Sequence, residues 1–256
     1  MPIKFSLFIL YFILLIPVNA QQAEIYATFS TLNIDELRAI DDVKSAGKIL
    51  IDQELGWIKI SDDKITKSDT TVIFVHGYGS TGYEWIMPIF EINNSGYDTY
   101  FYRYNWNICP DSVASILHST IPDEIHDTGK VVLIFGHSFG GLVVTYLGTK
   151  LGETDQQIEI HTIAAPLAGY DRLNQMCGNE SSIFEWSSYY AEDNEVISHF
   201  QWRTQQQQDG AFQELPVDPQ KVNIPKSTVI ELPATMDGHR LGHNWSITWV
   251  IKEYLN

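Results

Sequence analysis

Residues Val132–Val143 read VLIFGHSFGGLV, an apolar run that breaks into three glycines around a single hydroxyl. A plain turn needs one glycine. Three of them around Ser138 indicate a backbone drawn into a tight, strained shape that presents the hydroxyl. Upstream, Lys130–Gly136 (KVVLIFG) is nearly continuous in apolar residues, as expected for a strand covered on both faces. Downstream, Gly141–Leu151 (GLVVTYLGTKL) predicts a helix. Strand, Gly136-His137-Ser138-Phe139-Gly140 and helix together form the G-x-S-x-G nucleophile elbow in the context it requires. A Cβ at 136 or 140 would collide with the neighbouring strand and helix. The helix that begins at Ser138 turns free N–H groups and its positive end toward the hydroxyl. The alternative is a helix-capping serine, and the flanking elements favour the nucleophile.

Further runs rich in β-branched and aromatic residues are Thr71–His76 (TVIFVH), Asp98–Tyr104, Gln157–Ile163, Val196–Arg203 and Ser227–Leu232. Between them, Trp85, Ile89 and Ile92 recur at helical spacing, as do Val113, Ile116, Leu117 and Ile121. Asn244–Leu255 predicts a closing helix. Residues 33–56 predict a leading helix capped by Asn33 or Asp35, with a short strand following at Trp57–Ser61. Strands alternating with helices give an α/β domain with a mostly parallel sheet. Residues 166–194 hold five aromatics without a clear period, and a connection of that length predicts a lid or pocket insertion.

The buried run TVIFVH ends in His76-Gly77-Tyr78-Gly79, some sixty residues before the serine. Gly77 lets the chain turn so that the amide of Tyr78 faces the site, and Phe139, next to the serine, offers a second amide. FVHGYGS followed by LIFGHSFGGLV resembles the lipase/esterase branch of the α/β-hydrolase superfamily, over most of the chain from about residue 70. It is similar to lipase and GPI-inositol-deacylase-like members. The resemblance implies an α/β-hydrolase fold and carboxylic ester cleavage through an acyl-enzyme. It further implies an oxyanion hole of the Tyr78 and Phe139 amides, and no metal or organic cofactor. A thioesterase or peptidase on the same scaffold, or a non-catalytic binding relative, stays open.

A serine needs an imidazole in hydrogen-bond reach, and the imidazole needs a carboxylate to fix its tautomer. The family order puts both after Ser138. His161 and His199 fall inside predicted strands and read as packing residues. His239 and His243 lie between the last strand and the last helix. His243, after Gly242 at the helix entrance, is the expected base. Asp209, in QQQQDGAF after the strand Val196–Arg203, is the expected acid, and Asp218 in LPVDPQ is next.

At the N-terminus, Lys4, the apolar stretch Phe5–Val18 and Val18-Asn19-Ala20 read as a signal peptide over residues 1–20. The run is short for a membrane span, so none is expected after cleavage. The mature single domain, 21–256, would carry 15 basic against 32 acidic residues. That charge disfavours nucleic acid and anionic membranes as partners and leaves a small-molecule or lipid ester as the expected substrate. Export to the periplasm or the medium allows Cys109 and Cys177 a disulfide, with two buried thiols as the alternative. Asn93, Asn179 and Asn244 open N-x-[ST] sequons. Oligomeric state is not legible.

Overall fold

The computed structural model describes residues 28–62, 68–126, 129–151, 155–169, 171–177 and 196–256 of the 256-residue chain. The expected signal peptide, the sequon at Asn179 and the aromatic part of the 166–194 segment lie outside the described residues.

Eight strands form one sheet: β1 (Phe29–Asn33), β2 (Gly56–Ser61), β3 (Thr70–Val75), β4 (Asp98–Arg103), β5 (Val131–His137), β6 (Ile158–Ile163), β7 (Ile197–Arg203) and β8 (Ser227–Glu231). Their order is β1-β2-β4-β3-β5-β6-β7-β8. Strands β3 to β8 run parallel, while β2 pairs antiparallel with β4 and carries β1 parallel to itself. The mostly parallel α/β sheet expected from the sequence is therefore present.

The helices are α1 (Ile34–Arg38), α2 (Val43–Ile51), α3 (Tyr83–Asn94), α4 (Pro110–Ser119), α5 (Phe139–Gly148), α6 (Asp171–Cys177) and α7 (Trp245–Leu255). Side chains alternate across a strand, and the two central strands show what this does to the core. Val72 and Phe74 of β3 and Leu133 and Phe135 of β5 join the cluster under α2, α3 and α7. Ile73, Val75, Val132 and Ile134 join the opposite cluster with Val113, Leu117 and Leu142 of α4 and α5. Both faces are dry, which is why these strands are apolar throughout.

The leading segment differs from the single helix expected over 33–56. Asn33 caps α1 by accepting the Asp35 N–H (2.8 Å), and the chain then breaks. Asp42 caps α2 by accepting the Ser45 N–H (2.9 Å). A second capping aspartate inside the segment competes with the helix backbone for hydrogen bonds, so the helix restarts. The short edge strand β1 was not foreseen. Nor was the two-residue ladder of β9 (Thr235–Met236) with β10 (His239–Arg240). Its turn is Asp237-Gly238, with both residues at positive φ (50° and 77°), as a primed hairpin turn requires.

Cys109 and Cys177 are bonded, with a Cα–Cα distance of 5.5 Å. The bridge ties the start of α4 to the end of α6 across 68 residues, a closure worth about 4 kcal/mol in the chain-entropy account. Among the described residues, no helix is long and apolar enough to cross a membrane.

The fold fixes where a ligand is most readily held. After β3 the chain proceeds toward β4 on one side of the sheet, and after β5 toward β6 on the other. Adjacent strands whose connections leave in opposite directions open a crevice at their carboxyl ends. His76–Gly79 follows β3 there, and Ser138 follows β5.

Burial also gives stability a pH dependence. Desolvation lowers His76 to about 4 and His199 to about 3, because each ring is enclosed in the fold. From pH 6.5 downward the unfolded chain takes up protons that the native rings refuse, so stability is present above 6.5 and is lost as pH falls. Each ring should cost about 2 kcal/mol at pH 5. The urea midpoint should therefore drop between pH 7 and pH 5. An unchanged midpoint over that interval contradicts the burial of two neutral imidazoles.

Candidate active site

The crevice is shaped by glycines that cannot be anything else. A Cβ on Gly136 would lie 2.5 Å from the Gly140 carbonyl oxygen and from Val144 Cγ2. On Gly140 it would lie 2.2 Å from the Val75 oxygen and 2.4 Å from the His76 oxygen. On Gly141 it would lie 2.3 Å from Ala165 Cβ. The start of α5 is thus pressed against β3 and the end of β6. Between these contacts Ser138 takes φ 53° and ψ −119°. That lies outside the regions open to ordinary L-residues and costs roughly 1–3 kcal/mol. Two hydrogen bonds hold it there: the Ser138 N–H donates to the Ile163 oxygen and the Gly141 N–H to the Ser138 oxygen, both at 2.9 Å.

The loop after β3 lies against the serine. A Cβ on Gly77 would be 3.1 Å from Ser138 Cβ. His76, fully buried, stacks on Tyr104 with ring centroids 4.3 Å apart. Its Nε2 accepts the Tyr104 N–H (3.2 Å), so its Nδ1–H donates to the Gly77 oxygen (2.9 Å). The Gly77 carbonyl and the Tyr78 N–H belong to one planar trans peptide and point in opposite directions. Holding the carbonyl therefore aims the amide. The other expected donor, the Phe139 N–H, opens α5, where no intrahelical acceptor exists for it.

His243 enters from the start of α7. Its Nδ1–H donates to Asp209, with both carboxylate oxygens at 2.9 Å. That contact leaves Nε2 as the lone-pair nitrogen. Asp209, fully buried beyond β7, also accepts from Thr204 Oγ1 (2.5 Å) and the Ala211 N–H (2.9 Å). Phe212 packs on the imidazole nearly at right angles, with ring centroids 4.9 Å apart. The His243 carbonyl accepts from His137 Nε2–H (3.0 Å) and Ser246 Oγ (2.6 Å), which fixes its backbone. Ser138, His243, Gly77 and Tyr78 line one pocket of about 70 Å³.

The other candidates lie elsewhere. His239, on β10, stacks parallel to Trp245 and lines a wider neighbouring cleft. Asp218 accepts from the N–H and Nε2 of Gln220, whose Oε1 accepts the Thr204 N–H (2.9 Å). It stands behind the partner of Asp209 and does not reach the histidine. His161 is packed between Phe135 and Phe200, at 4.4 and 4.7 Å, and His199 bonds Ser227 Oγ at 2.7 Å. Both are packing residues, as their strand positions indicated. Missed at the sequence level were His76, His137 and Glu84. The first two adjoin motif glycines, and only tertiary contacts reveal what they hold.

A strained serine beside an imidazole hydrogen-bonded to a buried carboxylate, with backbone donors at hand, has the equipment of acyl transfer. No protein-family model matches the chain, and no curated protein matches it in sequence. Solved structures do match. The mature lipase BlEst2 of Bacillus licheniformis is similar at TM-score 0.51 and 12% identity, over 78% of this chain and 95% of that one. A lipase-esterase related protein of Clostridium acetobutylicum gives 0.47 and 14%, over 79% and 98%. An alpha-beta serine hydrolase homologue of Coxiella burnetii gives 0.46 and 12%, over 78% and 91%. The likeness is one of architecture: the chain has the α/β-hydrolase fold.

The elbow's close contacts predict that Gly140→Ala destabilises, whereas an ordinary Gly→Ala change in a helix would stabilise. A methyl 2.2 Å from a backbone oxygen must push α5 off β3, at about 2 kcal/mol or more. Thermal denaturation checks this, and a melting temperature at or above wild type contradicts the packing described.

Proposed function

We propose that the protein is an exported serine hydrolase that cleaves carboxylic esters through an acyl-enzyme intermediate. The observation that carries this reading is the pairing of two features in one pocket. Ser138 is held at φ 53° between a strand and a helix, and His243 is bonded through Nδ1 to the buried Asp209. An ordinary capping serine needs neither.

In the first half-reaction, Ser138 Oγ bonds to the ester carbonyl carbon while His243 Nε2 takes the hydroxyl proton. The carbonyl oxygen becomes an oxyanion, held by the N–H groups of Tyr78 and Phe139. Each such donor is typically worth a factor of about 10² to 10³ in rate. The oxyanion collapses, the carbon–oxygen bond to the alcohol breaks, and His243 returns its proton to the leaving alcohol. Water then adds to the acyl-enzyme with the same base, and the acid departs as the serine hydroxyl is restored. Asp209 keeps the proton on Nδ1 and stabilises the imidazolium that forms. It is suited to this because Thr204 and the Ala211 amide fix its oxygens.

Export rests on two supports. Residues 1–20 hold Lys4, a short apolar run and small residues before a cleavage point, and the Cys109–Cys177 bond belongs to oxidising compartments.

Substitution separates the roles. On a short para-nitrophenyl ester, Ser138→Ala should remove turnover in a folded protein. His243→Ala should cost about 10⁴ or more in kcat, and Asp209→Asn a similar factor through the wrong tautomer. His239→Ala and Asp218→Asn should each cost less than about tenfold. An inactive His239→Ala beside an active His243→Ala contradicts the assignment of the base.

A further inference from the structure

The pocket of Ser138 also holds a carboxyl group to which the steps above assign no role. Glu84, in the first turn of α3, is 7% exposed and lines the pocket with Ser138 and His243. Its support is rigid. The Ser80 hydroxyl donates to Oε1, and the Gly82 N–H donates to Ser80 Oγ at 3.2 Å. Gly82 is pinned in turn by α2, since a Cβ there would lie 2.2 Å from the Gly47 oxygen. Oε2 is buried, and among the described residues no donor reaches it. Burial raises the affinity of this carboxyl for its proton, opposed first by the Ser80 hydrogen bond, then by the backbone N–H of Glu84 itself and by the nearby His243.

His137, which lines the same pocket, repeats the pattern. Its Nε2–H is engaged by the His243 carbonyl, so Nδ1 carries the lone pair. Nδ1 too is buried without a partner. Burial, and then the neighbouring His243, hold this ring well below the usual imidazole range, so it stays a neutral acceptor. One small pocket therefore presents two buried acceptor atoms that no donor among the described residues reaches. Buried polar atoms in that condition are rare and call for a partner.

The chemistry of that partner is constrained by His243, which becomes a cation in each half-reaction. An ammonium beside it would be repelled, whereas a hydroxyl donates without adding charge. We propose that Glu84, seconded by His137, is a specificity-determining residue: the pocket takes esters that carry a hydroxyl group within a few bonds of the ester carbonyl, and Glu84 accepts its hydrogen bond. This rests on the ester-hydrolase reading above.

The test compares wild type with Glu84→Gln, which keeps an oxygen for Ser80 and replaces an acceptor with a donor. Two substrate pairs are used: para-nitrophenyl β-hydroxybutyrate with para-nitrophenyl butyrate, and hydroxyethyl butyrate with propyl butyrate. Each kcat/KM ratio is divided by the corresponding ratio for alkaline hydrolysis. Wild type should favour the hydroxylated member of at least one pair about tenfold or more, and Glu84→Gln should lose that factor. A wild type with no preference in either pair overturns the proposal, whatever the variant does and even if the variant does not fold. A preference that Glu84→Gln keeps overturns it too. So does equal slowing of both members, which would make Glu84 a support of His243. A fluorophosphonate arm separates the proposal from its premise. Labelling at Ser138 without a preference removes the proposal alone; neither labelling nor turnover removes the ester-hydrolase reading and the proposal with it.

Discussion

A single contact too close for any side chain governs the rest of this molecule: α5 meets the end of β3 at Gly140, where a methyl would lie 2.2 Å from a backbone oxygen. Because the helix begins that near the sheet, the chain leaving β5 has only Ser138 with which to reverse. It does so at φ 53° and ψ −119°, and the side chain is left standing at the sheet's carboxyl edge. The strain is balanced by the bonds on either side, to Ile163 and from Gly141, which belong to the sheet and the helix themselves. Unfolding the elbow would mean unpacking both. The same contact draws the loop after β3 over the serine, so the backbone at Gly77 and Tyr78 is brought to the hydroxyl by packing.

The histidine side is built on a different principle, a lattice of buried polar groups. Asp218 holds Gln220, Gln220 holds Thr204, and Thr204 with the Ala211 amide holds Asp209. In a low-dielectric interior each bond polarises the next, and a fully satisfied network specifies one geometry. His243 is fixed at both ends, by Asp209 at its ring and by His137 and Ser246 at its carbonyl. The two halves meet because His137 is adjacent to Ser138 in sequence and bonds the backbone of His243. One residue couples the position of the proposed nucleophile to that of the proposed base. In the same pocket, Glu84 Oε2 and His137 Nδ1 are buried with no hydrogen-bond partner among the described residues.

What could be read from the sequence was what residue identity enforces locally. Glycines at 136, 140 and 141 declare a close approach before any coordinates exist, and continuous apolar runs declare strands covered on both faces. Elements too short for periodicity stayed hidden, as β1 and the restart of the leading helix at Asp42 did. Asp209 could be named from chain order and its place after β7. The lattice behind it joins residues sixteen apart, and no local pattern carries that. Glu84 drew no reading from the sequence, because nothing local marks an acidic residue near a helix start as buried. The pairing of Cys109 with Cys177 was one of two alternatives until α4 and α6 were seen side by side.

The central claim is that strain and burial have made one hydroxyl in this chain a nucleophile. It is tested most directly by treating the folded protein with a fluorophosphonate and locating the adduct by peptide mass spectrometry. The account predicts one equivalent incorporated, on Ser138, with incorporation lost on heat denaturation and in the His243→Ala variant. Absence of an adduct on the folded protein, or an adduct on another serine, contradicts it.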